Sequence, residues 1–256
     1  KYIQLGVASD NKAKYFTTQP WQQDGEPRYY EWRDSDKDSI NSTIQMLMPE
    51  TLLNIIRNYL FIRIERGATT KVVTRYMQYR AAEQISNRVL GNIEGKTDKT
   101  KGLIWHWQGS GKTLTMIFAA NKLYREVALQ NPTVFFVVDR EELETQLSDE
   151  FNALDITKPE VVDSIYALRR IIKHDEHRGK RGIFITLIHK FRPEELSELQ
   201  KELDALSKER ETIKTRRNVL LFIDEAHRTQ YGTLASQMKE ILKKAQPYAF
   251  TGTPVA

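Results

Sequence analysis

The sequence predicts an α/β protein built on a mainly parallel, doubly wound sheet. Short apolar runs, "GLIWHW", "TVFFVVD", "GIFITLI", "VLLFID" and "YAFTG", recur through the second half of the chain. Each is continuous, not alternating, as befits strands buried on both faces. Segments of helical length separate them, which implies right-handed crossovers between parallel strands. With 256 residues, 40% of them apolar, the chain has enough material for a sizeable core.

Taken in order, "KYIQLGVASDN" reads as a short strand and turn, and "QPWQQDGEPRYYEWRDSDKD" as a polar, aromatic linker. From Pro49, "PETLLNIIRNYLFI" places Leu52, Ile55, Ile56, Tyr59 and Leu60 on one helical face, with Pro49 and Glu50 suited to a helix start. A second helix is expected in "RYMQYRAAEQISNRVL", before the polar turn "EGKTDKTKG". The chain thus divides into residues 1–38, a helical lead-in over 39–100, and the sheet domain over 101–256. Within the last, residues 193–217 read as one long charged helix carrying Leu196, Leu199, Leu203 and Leu206. That stripe fits packing on the domain better than a partner-binding coiled coil.

Composition narrows the class of function. There are no cysteines, which excludes a disulfide framework and thiolate metal sites and fits a reducing, cytoplasmic setting. No run of eighteen apolar residues occurs, and no signal-peptide layout opens the chain. The net charge of +5 permits contact with a phosphate backbone without requiring it. Lys1 at the start and "TGTPVA" at the end suggest a segment of a longer protein.

In open parallel sheets, ligands bind beyond the carboxyl ends of the strands, so the residues after each run are the ones to weigh. After "GLIWHW" comes "QGSGKT", opening a helix. Gly109, Ser110 and Gly111 supply backbone N–H groups for an anion, Lys112 can reach terminal phosphates, and the Thr113 hydroxyl can hold Mg²⁺. The usual motif has a glycine where His106 stands. After "LLFI" come Asp224 and Glu225, a pair whose burial is costly unless a cation waits. Asp224 would hold Mg²⁺ through its waters, and Glu225 would orient or deprotonate the water attacking the γ-phosphate. A lone acidic pair there would more often cap a helix. Its partnership with the phosphate turn favours ATP chemistry. His227 follows, and Thr251 and Thr253 flank Gly252 after the last run, placed to relay the state of the nucleotide.

"GSGKT", "DEAH" and "TGTP", in this order, resemble motifs I, II and III of superfamily 2 helicases and translocases. More narrowly, "GLIWHWQGSGKTLTM", "VVDREELETQL" and "FIDEAHRTQYG" resemble the motor (R) subunit of type I restriction enzymes, whose own pattern includes the departure at His106. The resemblance covers roughly residues 50–256 and implies a first RecA-like P-loop lobe that uses ATP and Mg²⁺. It further implies stepping along double-stranded DNA beside methyltransferase and specificity subunits. "VDREELETQ" then matches motif Ia and "ITLIHKF" motif Ib, whose backbone contacts would fall to Arg140, Thr186 and Lys190; a helix-start surface charge is an equal reading of Arg140. "RYMQYRAA" resembles a Q-motif, with Gln78 reading the adenine edge while Arg75 and Tyr76 frame the base, against the plainer reading of a glutamine on an exposed helix face.

In that family a nuclease domain precedes the motor, so residues 1–38 are expected to be its last strand, tail and linker, with no nuclease residue carried over. The second lobe and its arginine finger would lie past Ala256, so this segment alone is expected to bind nucleotide weakly and hydrolyse it negligibly. Two alternatives stay open. One is another superfamily 2 motor, a type III restriction subunit or a DEAH-box RNA helicase. The other is a non-hydrolysing DNA-binding or scaffolding module, against which the intact Lys112, Thr113, Asp224 and Glu225 argue.

Overall fold

A computed structural model describes residues 3–20, 26–34, 38–107, 109–138, 140–224 and 229–252, with the side chains of 188, 229–233 and 235 outside that description. The chain forms two compact units, residues 1–83 with 152–156, and residues 84–151 with 157–256.

In the first unit, β1 (Leu5–Ser9) pairs antiparallel with β2 (Ala13–Thr17). Helix α1 (Ser39–Leu47) is capped by Asp38, whose carboxylate accepts the Asn41 N–H at 2.8 Å. Helix α2 (Pro49–Asn58) starts on Pro49, where a missing N–H is harmless. The expected helix through Ile62 stops short, however. Leu60–Glu65 forms β3, which turns back through Arg66 and Gly67, both at positive φ, into β4 (Ala68–Val73). Positive φ at both central residues matches the twist of a two-residue hairpin. The lead-in is therefore part helix and part hairpin.

The supposed linker is also ordered where it is described. Tyr30 exchanges both backbone hydrogen bonds with Tyr15 of β2, at 2.8 and 2.9 Å. Trp32 is buried, its ring 5.7 Å from Tyr15, 5.3 Å from Tyr76 and 5.1 Å from Tyr79. The aromatic residues that seemed decoration on a polar stretch are the core of this unit.

Helix α3 (Tyr76–Ile93) contains the division between the units. Beyond it, the second unit carries six parallel strands: β5 (Gly102–Trp105), β6 (Thr133–Val138), β7 (Glu160–Val162), β8 (Gly182–Leu187), β9 (Val219–Asp224) and β10 (Gln246–Thr251). Their spatial order is β5-β10-β9-β6-β8-β7, every pairing parallel. The expected doubly wound architecture is thus present. It includes one strand, β7, too short for its apolar pattern to announce.

Strands β6 and β9 are buried at every residue, in keeping with helices on both sheet faces. On one face Phe136 meets Phe151 of α5 (Glu141–Ala153) at 5.4 Å and Phe222 at 5.4 Å, and Phe222 meets Phe250 at 5.9 Å. On the other, Phe135 and Phe184 join Leu168 and Ile171 of α6 (Ile165–Lys173), Leu196, Leu199 and Leu203 of α7 (Pro193–Leu206), and Met238 of α8 (Thr229–Ile241). The leucine stripe therefore packs inward, but the helix ends at Leu206, short of residue 217. Ser207 and Thr212 join hydroxyls at 2.6 Å, and the chain turns so that Ile213 and Arg216 enter the interior. Among the described residues, no helix is long and apolar enough to cross a membrane.

Candidate nucleotide site

The carboxyl edge of β5, β10 and β9 gathers the residues singled out by sequence. β5 leads through His106 and Trp107 into the glycine turn, and α4 (Lys112–Tyr124) begins at its end. Gly109 has φ 79° and Gly111 φ 85°, values that an L side chain rarely adopts. A Cβ on Gly109 would meet nothing within 4 Å, so the backbone there faces open space. Gly111 is the N-cap of α4 and has no side-chain oxygen to cap the first turn. A helix start that carries the positive end of the dipole and no side-chain cap suits an anion such as phosphate.

Lys112 is the first residue of α4, and its Nζ lies 2.9 Å from Oδ1 of Asp224, the last residue of β9. Asp224 is buried, and the ammonium offsets the cost of an ionised carboxylate there. Thr113, the next residue of α4, stands in the same first turn. Between β5 and β9 runs β10: Phe250 aligns with Asp224 of β9, Thr251 aligns with Trp105 of β5, and the Thr251 carbonyl accepts the His106 N–H at 3.0 Å. The structure therefore ties the last strand to the phosphate turn through backbone, a contact that side-chain reasoning did not foresee. Glu225, His227 and Thr253 lie outside the described residues.

His106 fills the place of the missing glycine. It is 4% exposed, with Nδ1 3.0 Å from Ser110 Oγ and Nε2 3.5 Å from Thr115 Oγ1. Burial, and then the charge of Lys112, hold its pKa below the usual 6.5. Ser110 in turn directs its hydroxyl to the Trp107 carbonyl at 2.6 Å, and its N–H donates to the same oxygen at 3.0 Å. Along the opposite side of β5, Leu103, Trp105 and Trp107 are exposed, and the two indoles stack at 5.4 Å with their planes 26° apart.

In the first unit, Gln78 caps α3. Its Oε1 accepts the Arg75 N–H at 2.9 Å, one half of a capping box, and the Arg75 guanidinium lies 5.5 Å from the centre of the Tyr30 ring. Gln78 is buried, so the plain reading of a glutamine on an exposed face does not hold.

The expected DNA-contact residues separate into two kinds. Arg140 is exposed just before α5, where its carbonyl accepts the Leu143 and Glu144 N–H groups, both at 3.1 Å. Lys190 is exposed after β8 and pairs with Glu141. Because β6 and β8 are neighbours in register, both residues stand at the same sheet edge. Thr186 departs from expectation. It is 0% exposed, aligned with Val137 and Val162 on either side, and its hydroxyl has no hydrogen-bond partner among the described residues. A side chain enclosed between two strands has no route to a backbone phosphate.

Residues 77–256 match the SWI2/SNF2 ATPase family. The chain is 32% identical to the type I restriction enzyme MjaVIIIP endonuclease subunit of Methanocaldococcus jannaschii, over 99% of this chain and 25% of that protein. It is 34% identical to the type I restriction enzyme HindI endonuclease subunit of Haemophilus influenzae, over 86% of this chain and 21% of that protein. It thus spans about a quarter of the length of these relatives. Among solved structures, the UvsW helicase from bacteriophage T4 aligns with a TM-score of 0.46 at 13% identity, over 81% of this chain and 61% of that one.

Proposed function

Since the chain belongs to the SWI2/SNF2 ATPase family and is a homologue of the endonuclease subunits of type I restriction enzymes, we propose that it forms the first ATP-binding lobe of a restriction motor. In this reading ATP hydrolysis drives movement on duplex DNA and, in the complete enzyme, leads to DNA cleavage. The observation that carries the proposal is the convergence of a left-handed glycine turn, the N-terminus of α4 and a Lys112–Asp224 ion pair on one sheet edge.

The residues fit ATP with Mg²⁺. Backbone N–H groups of Gly109–Lys112 would hold the phosphates, and Lys112 would exchange part of its contact with Asp224 for phosphate oxygen. Thr113 and Asp224 would hold Mg²⁺, which when bound neutralises charge on the phosphates. Glu225, next after Asp224, would prepare the attacking water. Thr251, with His227 and Thr253, would pass the state of the site along β10.

On the same edge, Arg140 and Lys190 would contact the DNA backbone; the adenine role of Gln78 and Arg75, residues of the first unit, rests on the Q-motif resemblance alone. Methyltransferase and specificity subunits would supply the rest of the complex, and the cytoplasm its setting. Lys112→Ala, measured by nucleotide binding and DNA-stimulated ATP turnover in the full polypeptide carrying these residues, should abolish both while the fold survives. Retained turnover would overturn the proposal.

A further inference from the structure

A glycine at the place of His106 would leave the turn free on this side; the histidine instead fills it with a buried ring. We infer that His106 is a positioning residue for nucleotide binding, its imidazole bracing the phosphate loop through Ser110 before any nucleotide arrives. The inference rests on the ATP-binding reading above.

The hydrogen bonds fix the roles of the ring atoms. Ser110 has one hydroxyl proton, and at 2.6 Å it goes to the Trp107 carbonyl. The Ser110 oxygen is therefore the acceptor toward His106, so Nδ1 carries the proton and donates across 3.0 Å. Nε2 is left as an acceptor, facing the Thr115 hydroxyl at 3.5 Å, the outer limit of a hydrogen bond. That hydroxyl also has the Gly111 carbonyl in reach at 3.2 Å. One ring thus touches both ends of the turn: Ser110 inside it, and the first turn of α4 behind it. The His106 N–H, bonded to the Thr251 carbonyl, fixes the ring's own backbone to β10.

The consequence is preorganisation. Gly109 at φ 79° and Gly111 at φ 85° are the residues with the most conformational freedom to lose when a nucleotide binds. A brace that ties His106 to Ser110 across the glycine turn removes part of that freedom in advance, and rigidity gained before binding appears as affinity. The effect belongs in the binding step, not in the chemistry, because no atom of His106 need touch the nucleotide.

The test is a double-mutant cycle in the full polypeptide carrying these residues, with ATP as the probe and duplex DNA saturating. His106→Ala and Ser110→Ala should each raise KM and the ATP dissociation constant about fivefold, the scale of one neutral hydrogen bond, with kcat changed less than about twofold. The double variant should lose clearly less than the product of the two single effects, since both remove the His106–Ser110 link while Ser110→Ala also removes the bond to the Trp107 carbonyl. His106→Asn, whose amide N–H can stand where Nδ1–H stood, should restore affinity to within about twofold. Histidine-ring ¹⁵N shifts without nucleotide should show His106 protonated at Nδ1.

Wild-type affinity in His106→Ala, independent multiplication of the two effects, or protonation at Nε2 would each overturn the inference. If His106→Ala fails to fold, Ser110→Ala and the ring tautomer still decide. A wild-type protein that binds no ATP, with Lys112→Ala indistinguishable from it, would instead remove the ATP reading on which the inference rests.

Discussion

Replacing Thr186 by valine tests whether this residue belongs to the DNA interface or to the interior. The hydroxyl is enclosed and unpartnered among the described residues, between Val137 and Val162. A buried, unsatisfied hydroxyl costs about 1–3 kcal/mol of desolvation, and a buried methyl in its place contributes about 0.8 kcal/mol. Valine has nearly the same shape and suits a strand equally well, so strain should be small. Together these should raise stability by about 2–4 kcal/mol and the Tm by about 6–12 °C, at about 3 °C per kcal/mol for a unit of this size. Circular dichroism on heating gives the Tm, and anisotropy of a labelled duplex gives DNA affinity, which should not change. A lower Tm would show that the hydroxyl has a partner worth more than its desolvation, and weakened DNA binding at unchanged stability would return Thr186 to the interface.

Other outcomes follow from the same geometry. Glu141 holds Lys190 and competes with any phosphate for it, so Glu141→Gln should tighten duplex binding about two- to fivefold at low salt, and Lys190→Ala should cancel the gain; unchanged affinity in Glu141→Gln would count against Lys190. The His106 ring should titrate below 6.5 by NMR. Between that lowered value and 6.5 the unfolded chain binds a proton that the folded one refuses, so stability should rise with pH through this window and level off above it. A midpoint at or above 6.5 would contradict the burial argument. Trp32→Ala should destabilise the first unit by about 3–5 kcal/mol in denaturant unfolding, because three aromatic neighbours lose their common contact; a loss under about 1 kcal/mol would mean that the stretch is a linker after all.

Much of the second unit was legible because burial on both faces leaves a plain mark: "TVFFVV" and "VLLFID" contain no exposed position to interrupt the apolar run. That Lys112 and Asp224 stand near one another follows from their places at or beyond the carboxyl ends of two strands of one parallel sheet, and the structure pairs them at 2.9 Å. What escaped was either short or non-local. β7 has three residues, too few for a period, and strand order depends on pairings between distant segments. The β3–β4 hairpin was hidden because its turn uses Arg66 before Gly67, where asparagine or aspartate would have signalled it, and because Leu60–Ile62 continues an apolar pattern begun in α2. Trp32 and Tyr30 misled in another way: polar neighbours gave the stretch a linker's composition while its rings found partners far along the chain. For Thr186, the motif Ib resemblance suggested DNA contact, but the residue lies inside β8, which runs one residue past it.

The stacked indoles of Trp105 and Trp107 give the loop a built-in optical probe. Trp107 is exposed to solvent and is bonded through its carbonyl to Ser110, so any rearrangement of the turn must carry its ring relative to Trp105. Two indoles at 5.4 Å couple their excited states, and a change in their separation or tilt alters both emission and near-ultraviolet circular dichroism. Any rearrangement of the glycine turn can accordingly be timed in a stopped-flow instrument with no dye attached, and Trp107→Phe supplies the silent reference.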